Sequence, residues 1–249
     1  MTPRDDWTTL RRASAELVGT GLLVTAVVGS GIAAARLAPD DPGLQLLANS
    51  IATALALGTL IVIFGPVSGA HLNPAVSLAD WWLGRRTRTG LSTRDLIAYL
   101  GAQLLGAAGG TVLAHLMFGL PAAAVATRHR DGGRLWLAEI IATGGLLLLI
   151  AALRHARREA LAPVAIGAWI GAAYWFTAST GFANPAVTVG RMFTDTVTGI
   201  TPLSAMGFVV AQLVATVGTL AAIRWWYPTR PRAVAPVDPT PTGAQRVPA

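Results

Sequence analysis

Only 12% of the 249 residues are charged and 53% are hydrophobic, with a mean hydropathy of +0.55; a soluble domain carries about a quarter charged residues. A net charge of +7, with all 19 basic residues arginine, admits nucleic-acid binding. The arginines instead stand between apolar segments and toward the C-terminus, as membrane topology places them. With no cysteine there is no disulfide, thiolate nucleophile or Cys-type metal site.

Residues 1–12 are polar and hold Arg4, Arg11 and Arg12. Leu17–Ala35 is an apolar run of 19 residues whose Ala-rich end looks like a signal cleavage site. Its length is near the ~20 needed to span a bilayer and exceeds the ~7–15 of a signal core, so it reads as an uncleaved first membrane helix. Gly43–Ala70 has no charge in 28 positions and gives a second span. That span leads into SGAHLNPAVSLAD, and Arg85, Arg86, Arg88 and Arg94 follow in a connector. Leu96–Met117 is the third span, with Gln103 and the small residues Gly101, Gly106, Gly109 and Gly110, which suit close helix packing in lipid.

Pro121–Arg134 is a polar connector, and Leu135–Leu153 is the fourth span, carrying Glu139 and followed by Arg154, Arg157 and Arg158. Leu161–Ala178 is the fifth and leads into STGFANPAVTVGR. Thr201–Trp226 is the sixth, closing on the interfacial pair Trp225 and Trp226. Residues 227–249 are rich in proline and read as a disordered tail.

The Asn-Pro-Ala-Val stretches at Asn73 and Asn184 lie 111 positions apart. Proline suits the first position of a helix and asparagine its N-cap. Each stretch is therefore the start of a short helix that cannot cross a bilayer alone. Broken helices in corresponding positions of two halves point to a permeation site. A second echo supports the repeat, since AELVGTGLLV opens the first span and AEIIATGGLLLL the fourth, with Glu16 and Glu139 at matching points.

The paired motifs resemble the aquaporin, or major intrinsic protein, family, over roughly residues 10–226. The resemblance implies an all-α membrane protein with six transmembrane helices and two re-entrant half-helices in an inverted repeat. The channel unit is 13–226, with repeats at about 13–118 and 135–226. It also implies a homotetramer with one pore per protomer, a lipid bilayer as surroundings, no cofactor, no metal and no enzyme activity. Six spans put both termini on one side, with 14 arginines there and five (Arg36, Arg128, Arg130, Arg134, Arg191) on the other. By the positive-inside rule the termini are cytoplasmic, in a bacterial plasma (inner) membrane.

Asn73 and Asn184 are the expected pore donors, because a polar solute leaving water needs replacement hydrogen bonds. The positive ends of the two half-helices would oppose cations and a proton wire there. Pro74, Ala75, Pro185 and Ala186 are expected to pack without touching solute. Most family members place an arginine of the outer filter three residues after the second motif's asparagine, and here that position is Val187. The nearest arginine, Arg191, is expected to face elsewhere and to cap the half-helix or meet headgroups. Family spacing gives Thr53 for the second span, Ala172 or Ala173 for the fifth, and Gly181 or Phe182 for the loop. Such a ring implies a wider filter, for water and small uncharged solutes such as glycerol-like polyols, metalloid hydroxides including arsenite, or neutral organoarsenicals. The loop pattern is also similar to bacterial members associated with arsenic-resistance genes.

Glu16 and Glu139 are expected to hold the re-entrant loops through backbone hydrogen bonds. The alternative is a proton-coupled secondary transporter that uses them as carriers. His71 is expected to be a hydrogen-bonded loop residue, with gating by protonation as its second role. Ser68 and His71 are the only close pair for an intramembrane hydrolase, and Ser68 lacks the G-x-S-x-G frame.

Overall fold

The computed structural model describes residues 8–85, 87 and 89–227. The start of the expected N-terminal segment, Arg86, Arg88 and residues 228–249 of the expected tail lie outside the described residues. The helices are α1 (Thr9–Leu37), α2 (Pro42–Ser68), α3 (Pro74–Gly84), α4 (Thr93–Met117), α5 (Gly133–His155), α6 (Ala162–Phe176), α7 (Pro185–Gly190) and α8 (Pro202–Trp226). Six are long and apolar enough to cross a membrane; the fifth of these counts a 3-10 turn at Glu159–Leu161 with α6. Among the described residues there is no strand.

Local chemistry explains the helix starts. Thr8, Asp41, Ser92 and Thr201 each accept from a backbone N–H three residues on, at Arg11, Leu44, Asp95 and Ser204. Pro42 and Pro202 stand at the first helical positions. The first helix begins eight residues before the expected run, because a polar turn holding the buried Glu16 is helical as well. The fifth ends at Phe176, short of Ala178, since Thr177 takes an extended conformation and turns its hydroxyl back to the Ala173 carbonyl.

The two halves repeat one another's packing. Helix α1 lies against α2 and α4, while α5 lies against α6 and α8; α2 meets α6 across the pseudo-symmetry. The half-helices cross over, with α7 against α4 and α3 against α8. Contact between α1 and α4 is backbone to backbone. A Cβ on Gly110 would sit 2.2 Å from the Gly21 carbonyl oxygen, and one on Gly106 would sit 2.3 Å from that of Leu17. Thr25 uses this proximity to donate to the Gly110 carbonyl at 3.0 Å. Leu55, Ile97, Leu105, Val210 and Val217 point outward and are exposed, as lipid-facing side chains are. Six helices of membrane-spanning length and two half-helices in an inverted repeat are the arrangement that the sequence resemblance implies.

Candidate permeation site

Each re-entrant loop is wound through left-handed backbone, in the same pattern twice. Positive φ occurs at Gly69, Ala70 and Leu72 (88°, 48°, 48°) and again at Thr180, Gly181 and Ala183 (64°, 57°, 49°). For residues other than glycine this costs roughly 1–2 kcal/mol each. The two expected carboxylates offset it. Glu16 accepts from the His71 and Leu72 N–H groups (2.9 and 2.6 Å), from Ser68 Oγ (2.6 Å) and from Gln103 Nε2 (2.7 Å). Glu139 accepts from the Phe182 and Ala183 N–H groups (2.9 Å each) and from Gln212 Nε2 (2.7 Å). Both carboxylates are fully buried and neither lies on the cavity wall.

The loops end at the two asparagines, which join the half-helices. Asn73 Oδ1 caps α3 by accepting from the Ala75 N–H, and Asn184 Oδ1 caps α7 by accepting from the Ala186 N–H, both at 2.9 Å. Their amides then reach across: Asn73 Nδ2 donates to the Ala183 carbonyl at 2.8 Å, and Asn184 Nδ2 to the Leu72 carbonyl at 2.7 Å. An amide nitrogen carries two N–H groups, so each asparagine keeps one that these bonds do not use. Pro74, Ala75, Pro185 and Ala186 are buried and contribute nothing to the cavity wall.

A cavity of about 110 Å³ passes both asparagines, from Arg154 and Glu159 at one mouth to Arg191 at the other. Its wall is largely apolar, with Leu57, Ile61, Leu146 and Ile170 among the side chains. Thr53, Gly181, Phe182, Val187 and His71 are on it. Ala172 and Ala173 are not. Ala172 is exposed on the outer face of α6, and Ala173 is buried against Gly181, whose Cβ would come 2.6 Å from that of Ala173. The fifth-span side chain on the wall is Tyr174, hydrogen-bonded through its hydroxyl to Thr53 Oγ1 at 3.0 Å. His71 Nδ1 lies 3.1 Å from Ser77 Oγ, so it is a hydrogen-bonded loop histidine. Ser68 is committed to Glu16.

Arg191 stands at the C-cap of α7, as expected, with its backbone N–H donating to the Val187 carbonyl, but it does not face away. It follows α7 directly, at the start of a 3-10 turn through Phe193. Yet it is only 3% exposed and lines the cavity. The reason is helical periodicity, since positions i and i+4 share a face and Val187 and Arg191 are so spaced. Its Nε donates to the Thr198 carbonyl, and its Cζ sits 3.5 Å from the centroid of the Phe182 ring. Arg130 and Arg128, in the connector before α5, are spent on the same loop: Arg130 donates to the Gly199 and Val197 carbonyls and Arg128 to that of Val197. Burial, helped by Arg128, pulls the Arg130 guanidinium down to about 10, which leaves it charged at neutral pH. At the opposite mouth Arg154 is neutralised by Asp80 at 2.5 Å.

Sequence reasoning noted Gln103 only as a polar residue in a span and missed Gln212, Ser77 and Thr188. Gln103 Nε2 bridges Glu16 to Ser77 Oγ (3.0 Å), and Gln212 Nε2 bridges Glu139 to Thr188 Oγ1 (3.0 Å). A signal was present, because a hydroxyl residue stands four positions after each motif asparagine. No group of three or more metal-ligating side chains occurs among the described residues.

Residues 4–183 match the family described as Major intrinsic protein. Aquaglyceroporin AqpS of Rhizobium meliloti is 52% identical over 222 residues, covering 89% of this chain and 92% of that protein. Aquaporin Z of Brucella melitensis is 33% identical over 203 residues, covering 75% and 86%. Among solved structures, the aquaglyceroporin from Plasmodium falciparum superposes with a TM-score of 0.65 at 23% identity, covering 88% of this chain and 96% of that one.

Proposed function

The chain belongs to the major intrinsic protein family, and on that premise we propose that it is a passive, bidirectional channel for water and small uncharged solutes of the size and hydroxyl content of glycerol. The observation that carries this reading is the cavity, which pairs an apolar wall with a few fixed polar groups: one free N–H on each of Asn73 and Asn184, and the Thr53–Tyr174 hydroxyl pair. A polyol presents carbon to the first and oxygen to the second. Neutral metalloid hydroxides such as arsenite, and neutral organoarsenicals, have the same surface chemistry and belong to the same proposed class. The similarity to an aquaglyceroporin supports a pore wider than one for water alone, as does Val187 on the wall.

Under this reading Asn73 and Asn184 orient the solute midway. The N-termini of α3 and α7 meet there and oppose cations. Thr53, Tyr174, Gly181, Phe182 and Val187 form the constriction toward the Arg191 mouth. The protein acts in a bacterial plasma membrane with both termini cytoplasmic, which makes the Arg191 mouth external, and as a homotetramer. Glu16 and Glu139 are buried behind the loops, so nothing in the site favours their acting as proton carriers.

Stopped-flow light scattering on proteoliposomes tests the proposal with water, glycerol and neutral arsenite. The wild type is expected to pass the larger solutes, and Val187→Arg to lower glycerol flux relative to water. A wild type that passes water alone would refute the wide-pore reading. Flux that saturates and follows a proton gradient would replace the channel with a carrier.

A further inference from the structure

The arginine missing at position 187 does not leave the outer constriction without a cation. A helical side chain leans toward the N-terminus of its own helix. A long side chain one turn beyond Val187 therefore reaches back toward the level of Val187, and the small valine leaves it room. The Arg191 guanidinium is then held from two sides. Its Nε donates to the Thr198 carbonyl, and its plane is backed by the Phe182 ring, with Cζ 3.5 Å from the centroid.

Its remaining donors are the informative part. Arginine carries five N–H groups. Among the described residues, the Nε bond to Thr198 is the guanidinium's one hydrogen bond to protein, although the residue is 97% buried by its 3% exposure. No carboxylate lies within ion-pair distance of it among the described residues. That contrasts with Arg154, the other arginine on the wall, which is neutralised by Asp80. The neighbouring Arg128 and Arg130 are bonded to the carbonyls of Val197 and Gly199. Arg191 lines the cavity together with Val187, Phe182 and Tyr174, so donors free of protein partners stand beside the path.

We propose that Arg191 is the specificity-determining cation of this pore, supplied one helical turn later than position 187: its Nη groups donate to the oxygen of a passing neutral solute, and its uncompensated charge turns back cations and protons. The assignment rests on the channel reading above. It favours solutes with an accepting oxygen and keeps the wider pore proton-tight. Because the guanidinium is anchored by the loop at Thr198 and stacked on Phe182, it is preorganised and needs no rearrangement as solute arrives.

The test uses proteoliposomes of the full chain, wild type and the variants Arg191→Ala, Arg191→Gln and Arg191→Lys. Glycerol and water permeabilities are measured by stopped-flow. Proton leak is measured with an entrapped pH dye under an imposed membrane potential, and expressed per amount of channel protein quantified in the same vesicles. Arg191→Ala and Arg191→Gln are expected to raise the normalised leak by about tenfold or more, since a unit charge a few ångströms from the path is worth at least that in a poorly screened pore. Arg191→Lys is expected to stay near the wild-type leak while its glycerol-to-water ratio changes. Should Arg191→Ala fail to assemble, Gln and Lys decide alone, because both keep a donor for the Thr198 carbonyl and differ in charge. Equal normalised leak in Gln, Lys and wild type would overturn the proposal and make Arg191 a loop tether. A wild type that conducts neither water nor glycerol would instead overturn the channel reading itself, whatever the variants do.

Discussion

Replacing Glu16 or Glu139 with glutamine keeps shape and removes one acceptor. In Glu16 each carboxylate oxygen serves two donors: Ser68 Oγ and the His71 N–H on Oε1, the Leu72 N–H and Gln103 Nε2 on Oε2. Whichever oxygen becomes NH₂, two donors lose their acceptor and face another donor. Glu139 is less committed, with the Phe182 N–H alone on Oε1, so glutamine can settle there at the loss of one bond. Hydrogen bonds to a charged group are worth about 1.5–3 kcal/mol each. Glu16→Gln is then expected to cost about 3–6 kcal/mol and Glu139→Gln about half that. For a chain of this size each kcal/mol moves Tm by about 2–4 °C. The melting temperature should therefore fall by roughly 6 °C or more for Glu16→Gln and roughly 3 °C or more for Glu139→Gln. Thermal unfolding in detergent reads the loss, and glycerol flux with and without a proton gradient is measured alongside. If both variants melt with the wild type while gradient-driven accumulation disappears, the carboxylates are carriers and the scaffold argument is wrong. A larger loss at Glu139 than at Glu16 would show that donor count does not set the effect.

Gly110→Ala places a Cβ 2.2 Å from the Gly21 carbonyl oxygen; forcing α1 and α4 apart should cost about 1–3 kcal/mol, seen as a lower Tm, while Gly109→Ala, which meets nothing within 4 Å, should not. Tyr174→Phe removes the hydrogen bond to Thr53. It should cost about 1 kcal/mol and lower glycerol permeability relative to water in stopped-flow, because one of the fixed polar groups on the wall is gone. Asp195 is exposed and is held below the ordinary carboxylate value of 3.8 by the Thr127 N–H and then its hydroxyl. A depressed folded value means its tether is fully present above 3.8 and fades as pH falls through the lower folded value. The protection of the Thr127 amide, its exchange rate relative to that of an unstructured peptide at the same pH, should therefore fall only in acid, and Asp195→Ala should abolish it at every pH.

The spans and half-helices were legible because each is written locally. A charge-free run of membrane length needs no partner to be recognised, and Asn-Pro carries both the cap and the first turn of α3 and α7. The cavity wall was legible only where it follows from one helix. Thr53, Phe182, Gly181 and Val187 stand on it, but α6 was read out of register. Its placement depends on how the second loop folds back over Ala173, and that approach pushes the wall position on to Tyr174. Arg191 caps α7 as its position implies, but its facing was not legible, since a spacing of four brings the side chain back to the face of Val187. Least legible were the bridges Glu16–Gln103–Ser77 and Glu139–Gln212–Thr188, whose members come from three elements far apart in sequence. Each bridge forms only once α4 or α8 packs against a half-helix, so its residues are uninformative one by one. That the same triad stands in both halves argues that what the repeat preserves is the support of a strained loop, which leaves residues such as Val187 and Arg191 free to differ between the two mouths.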